Sequence, residues 1–99
     1  MRRGTTPTHI FETSIDLTQA QIIFITYQQG DKTVVEKTIE DITVEPDKLT
    51  VTLTQAETLE FDRHKNVRIQ CRAKFEDGTA IASDILDVMV CEILKEGEI

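Results

Sequence analysis

The chain has no tryptophan, two cysteines, two prolines, four glycines and five aromatic residues in 99 positions. Each shortage excludes something. Cys71 and Cys91 stand alone, outside any C-x-x-C spacing, so neither a disulfide framework nor a cysteine-based zinc site is expected. With four glycines there is no Gly-rich phosphate loop and no G-x-S-x-G elbow. No run of about 18 apolar residues occurs, which excludes a transmembrane helix. Basic residues are also in the minority, 11 Lys and Arg against 18 Asp and Glu, for a formal net charge of −7. That balance argues against non-specific binding to nucleic acid, whose phosphates require clustered cations.

What is present is one domain's worth of chain, 39% hydrophobic and 29% charged, long enough to bury roughly two thirds of the surface exposed when unfolded. After Met1-Arg2-Arg3-Gly4 comes Thr5-Thr6-Pro7-Thr8-His9 where a signal peptide would need an apolar stretch, so the expected location is a cytoplasm.

Val67 to Phe75 reads V-R-I-Q-C-R-A-K-F, apolar or small residues alternating with polar ones, and leads into Glu76-Asp77-Gly78-Thr79. Side chains two apart on a strand share a face, so this is a half-buried β-strand entering a hairpin. If Asp77 and Gly78 are the two central turn residues, Phe75 faces Ala80, Ala73 faces Ala82, Ile69 faces Leu86 and Val67 faces Val88, all apolar pairs. On the other face Arg68 meets Asp87 as a surface ion pair. Asp84 would fall opposite Cys71 on the inner face, where a lone carboxylate is costly, so a β-bulge or change of sheet is expected near Ser83-Asp84. Cys71 and Cys91 would then lie roughly 23 Å apart, beyond disulfide reach.

Other strands are expected over Thr8 to Ser14, Gln21 to Gln28, Thr33 to Thr38, Ile42 to Glu45, Lys48 to Thr54 and about Thr79 to Cys91. Gln21 to Gln28 is apolar on both faces, as for a strand covered on both sides. In Lys48 to Thr54, Leu49, Val51 and Leu53 share one face and three threonines the other. Thr54-Gln55-Ala56-Glu57 is a capping-box sequence that predicts one helical turn near residues 55–60, carrying Leu59 and Phe61 under the sheets. Ile93 and Leu94 are expected to close against the core. Short strands joined by turns at this spacing predict an all-β fold, a sandwich or barrel.

No catalytic, cofactor or metal-ligand set emerges. His9 and His64 have no partner by spacing, and Glu40, Asp41, Glu45 and Asp47 do not form a calcium loop. One local feature stands against the acidic background: Arg63, His64, Lys65, Arg68, Arg72 and Lys74 crowd a single stretch. The alternation turns Arg68, Arg72 and Lys74 outward, a candidate face for docking a protein partner. Tyr27 and Phe75 are expected to point inward, which leaves no aromatic platform for nucleic acid.

Taken together, M-R-R-G-T-T-P-T-H, L-T-V-T-L-T-Q-A-E-T-L-E-F, V-R-I-Q-C-R-A-K-F-E-D-G-T-A-I-A-S-D-I and the closing E-I-L-K-E-G resemble small proteins encoded in phages and prophages of Firmicutes. That resemblance spans nearly the whole chain. It implies an immunoglobulin-like β-sandwich of about seven strands, of the kind found in tail and baseplate components. It also implies a non-enzymatic virion structural or assembly protein without cofactor, made in the bacterial cytoplasm and carried into the virion. Expected partners are other phage structural proteins or a second copy of the chain, not nucleic acid or membrane. The alternative expectation is a host-surface or carbohydrate-binding module.

Overall fold

The computed structural model describes residues 1–99 and is an antiparallel β-sandwich of eight strands. They are β1 (Thr8–Glu12), β2 (Ile22–Gln29), β3 (Lys32–Thr38), β4 (Thr43–Glu45), β5 (Lys48–Thr52), β6 (Asn66–Lys74), β7 (Ala80–Ala82) and β8 (Leu86–Met89), with one helical turn, α1 (Gln55–Leu59). One sheet has the order β1-β5-β4; the other is β3-β2-β6, with β7 and β8 sharing the far side of β6. No strand lies beside the outer edge of β1.

The core is the space between the sheets. Ile23, Ile25 and Tyr27 of β2, Leu49 and Val51 of β5, Val67 and Ile69 of β6, and Leu53, Phe61 and Val90 meet there, each at most 4% exposed. Their spacing of two along each strand is what the alternation predicts. Thr54 accepts a hydrogen bond from the Glu57 amide at 3.1 Å while Glu57 accepts one from the Thr54 amide at 2.8 Å, so the capping box forms and turns the chain into α1. The helical turn buries Thr58, and Phe61 follows it into the core; Leu59 remains partly exposed. Arg3 fastens the N-terminus beneath it, its Nε donating to the Phe61 carbonyl at 2.8 Å and its Nη2 to the Leu59 carbonyl at 3.1 Å.

Several expectations are corrected. The β2 strand is covered on one face only: Ile22 and Phe24 point away from the core and are 43% and 37% exposed. There is no third layer to cover them. The chain between β3 and β4 makes a 3-10 turn, Ile39–Asp41, in which Asp41 accepts from the Thr38 amide at 3.1 Å. At the end of the chain Ile93 lies against Gly4, but Leu94 is almost wholly exposed.

The hairpin after β6 differs by one residue. Its loop has three residues, Glu76-Asp77-Gly78, because the Gly78 amide donates to the Phe75 carbonyl at 3.0 Å and the Phe75 amide to the Thr79 carbonyl at 2.9 Å. Gly78 takes φ +91°, the left-handed position that follows the turn in such loops. Ala73 therefore pairs with Ile81, and Arg72 with Ala82, rather than Ala73 with Ala82. Beyond the bulge the expected register returns: Ile69 pairs with Leu86, Arg68 with Asp87 and Val67 with Val88. The bulge between β7 and β8 includes Ser83 and Asp84, and Asp84 is exposed. One expected strand thus becomes two.

Candidate protein-docking face

Alternation along β6 sends Arg68, Gln70, Arg72 and Lys74 to the outer face of the larger sheet. The antiparallel pairing with β2 sets Ile22 beside Lys74, Phe24 beside Arg72, and Gln28 beside Arg68. On the other flank Arg72 faces Ala82 and Lys74 faces Ala80, whose methyl groups leave low ground between taller side chains. Ile22, Phe24, Arg72, Lys74 and Ala80 line a shallow cavity of about 170 Å³ there. Farther along, Ile85 of the bulge is 44% exposed and lies over Thr26, Gln28, Arg68 and Gln70.

The three cations are exposed and belong to no ion pair, although Arg3, Lys37, Lys48, Arg63 and Lys65 all do. Asp87 is opposite Arg68 by register, yet the expected ion pair does not form within 4 Å. The basic stretch read from the sequence thus divides. Arg63 and His64 both reach Glu92 at 3.5 Å, and Lys65 reaches Asp62 at 3.4 Å, so this half is a self-neutralised loop. Within that stretch Arg68, Arg72 and Lys74 are the cations outside any ion pair, as Arg2, Lys32 and Lys95 are elsewhere in the chain. Arg72 and Lys74 share the lining of the shallow cavity with Ile22, Phe24 and Ala80.

The sequence reading placed the cations but missed the apolar half of the face, Ile22, Phe24 and Ile85. The signal was available: a chain of this length folded into two sheets has no layer left to cover a strand that is apolar on both sides.

The titratable groups inside the molecule serve the fold. His9 Nδ1 is 2.7 Å from the Tyr27 hydroxyl, and the Tyr27 ring meets Phe61 edge-on at 6.1 Å between centroids. Burial lowers the His9 pKa and, with the nearby Cys71 and Glu57, raises that of Tyr27. Tyr27 has no exposed surface, whereas His9 is partly exposed. The Cys71 thiol, half-buried on the inner face, is pushed up to about 11 by burial, against a hydrogen bond from Ser83 that lowers it. No three His, Cys, Asp or Glu side chains converge as a metal site. No helix is long and apolar enough to cross a membrane.

No protein-family model, curated protein or solved structure matches the chain.

Proposed function

We propose that this protein is a non-enzymatic docking domain, a phage or prophage virion structural or assembly protein of the tail or baseplate, which binds an acidic protein surface through the outer face of its larger sheet. The observation that carries the reading is the unpaired row Arg68, Arg72 and Lys74 beside exposed Ile22 and Phe24, on a chain whose net charge is −7. In so acidic a molecule, three cations in one row that form no ion pair are a local asymmetry that favours an acidic partner. Apolar side chains between them supply area that leaves water on contact. The phage assignment rests on the sequence resemblance. A carbohydrate-binding role has less support, because Phe24 is the sole aromatic side chain of the face.

Co-expression with the products of adjacent genes tests it. A stable complex with a tail or baseplate protein is expected, weakened by added salt and lost in the triple variant Arg68→Glu, Arg72→Glu, Lys74→Glu with the circular dichroism spectrum unchanged. A complex indifferent to that variant would overturn the assignment of the face. Binding of the isolated domain to host cell walls, with no virion partner, would overturn the assembly role.

A further inference from the structure

A second surface lies on the open side of the sandwich, where the outer edge of β1 in one sheet and of β7–β8 in the other both lack a neighbouring strand. Between them runs a groove of about 600 Å³, with Phe11 and Cys71 at its floor and Ile10 and Leu86 at its walls. Ile10 and Leu86 are 60% and 49% exposed. A smaller cavity of about 190 Å³ continues it past Ile15 and Ile81, sharing Glu12, Thr13, Cys71 and Ser83 with the first.

Three features specify what fits. Each lip is the free edge of a β-strand, whose outward amide and carbonyl groups pair best with another extended backbone. The chain itself already uses the same edge in this way: beyond the groove Met1 to Arg3 run parallel to the end of β8, with the Cys91 amide donating to the Met1 carbonyl at 2.8 Å and the Arg3 amide to the Cys91 carbonyl at 3.1 Å. Charge is the third. Glu12 and Asp84 line the groove, no Lys or Arg lines its larger part, and neither acid belongs to an ion pair. Thr13, at the junction of the two cavities, holds the one buried side-chain polar atom without a hydrogen-bond partner, its Oγ1.

We infer that this groove receives an extended strand of a partner protein, apolar at alternate residues and carrying Lys or Arg where it passes Glu12 and Asp84. The strand would lie beside the outer edge of β1, where the sheet has no neighbour. The larger groove shares no lining residue with the basic face, whose Arg72 borders only the smaller cavity, so the inference stands or falls independently of that face.

The test uses the full chain and a synthetic peptide of about ten residues, alternating valine with threonine and ending in lysine, with a glutamate-ended peptide as control. Hydrogen exchange of amides in residues 8–13 and 80–88 is expected to slow about ten-fold or more with the lysine peptide. The glutamate peptide is expected to bind at least about ten-fold more weakly. Glu12→Lys, at an exposed position, reverses the preference, and Ile10→Lys with Leu86→Lys abolishes binding while the fold is retained by circular dichroism. Unchanged exchange along both edges, or equal binding of the two peptides, overturns the inference. So does a dimer by light scattering whose protected amides are those of β1, since the occupant is then a second copy.

Discussion

Ser83 grips Cys71 twice: its amide donates to the Cys71 carbonyl at 2.9 Å, and its hydroxyl accepts from the Cys71 amide at 3.0 Å. In a regular antiparallel pair the second bond would come from a backbone carbonyl. Here the side chain substitutes, because the extra residue of the bulge has carried the backbone away. The same hydroxyl donates to the Asp84 carbonyl at 2.8 Å, holding the bend.

Replacing that hydroxyl isolates its contribution. Ser83→Ala is expected to cost about 1 kcal/mol, the net value of one hydrogen bond near solvent, and Ser83→Thr markedly less. Urea denaturation with an unchanged m-value checks both. A Ser83→Ala midpoint equal to that of the parent would show that water replaces the hydroxyl without loss.

Neighbours on opposite faces of β2 should respond differently. Ile25 has no exposed surface, so Ile25→Ala is expected to cost about 2–5 kcal/mol through lost burial and a residual cavity. Phe24, larger but 37% exposed and on the outer face, is expected to give about 1 kcal/mol or less as Phe24→Ser. Thermal unfolding of the two variants orders them. Near-equal losses would mean that the outer face is covered in solution, for instance by self-association.

Two partly buried groups, His9 and Glu57, give stability a pH dependence in two separate windows. Burial depresses the folded pKa of His9, so the unfolded chain binds the proton more readily and stability falls as pH drops through about 6.5. Burial alone would raise the Glu57 pKa, but the Lys37 ammonium at 2.8 Å and the Thr54 amide and hydroxyl outweigh it and hold the pKa low. Its contribution is present above the unfolded carboxylate range and is lost as pH falls through about 4.5 and below. Urea midpoints measured from about pH 2 to about pH 8 should therefore fall in two steps. His9→Gln is expected to remove the upper step and leave the lower, and Glu57→Gln to shrink the lower, to which Asp16 and Asp77 also contribute through their bonds from Thr18 and Thr79, while leaving the upper.

Much of this fold was legible because its signals are local. Leu49, Val51 and Leu53 alternate with threonines, and Thr54 and Glu57 stand at capping-box spacing, so strand face and helix start follow from sequence separation alone. The hairpin register was legible only to within one residue. Asp77-Gly78 suits both a two-residue loop and the end of a three-residue one, and the choice depends on which amide the Phe75 carbonyl accepts. The coverage of β2 follows only once a two-layer sandwich is taken as given, since Ile22 and Phe24 look like core until the number of layers is known. The edge groove was hidden for a similar reason: Ile10, Phe11, Cys71 and Leu86 are far apart in sequence, and only the sheet order brings them together. For the candidate docking face, β-strand alternation supplied Arg68, Arg72 and Lys74. That Arg63 is neutralised is a tertiary fact involving Glu92, whereas Lys65 meets Asp62 only three residues away, a pair the sequence itself offered.

The Cys71 thiol provides a chemical probe of the groove floor. Alkylation requires the thiolate, and burial raises the folded pKa to about 11, so at pH 8 only on the order of one molecule in a thousand carries it. In a Cys91→Ser background, iodoacetamide is expected to modify native Cys71 on the order of a hundred-fold more slowly than free cysteine, with the rate rising tenfold per pH unit from 8 toward 10. Denaturant should abolish the difference. Because Cys71 lies between Phe11 and Ser83 in the groove, a strand bound there slows the reaction further, whereas a partner on the outer face of β6 leaves it unchanged. Mass spectrometry of the modified fraction against time reads both effects. Rapid labelling of the native chain at pH 8, or a rate insensitive to pH, would show that the thiol is neither buried nor held protonated as the structure places it.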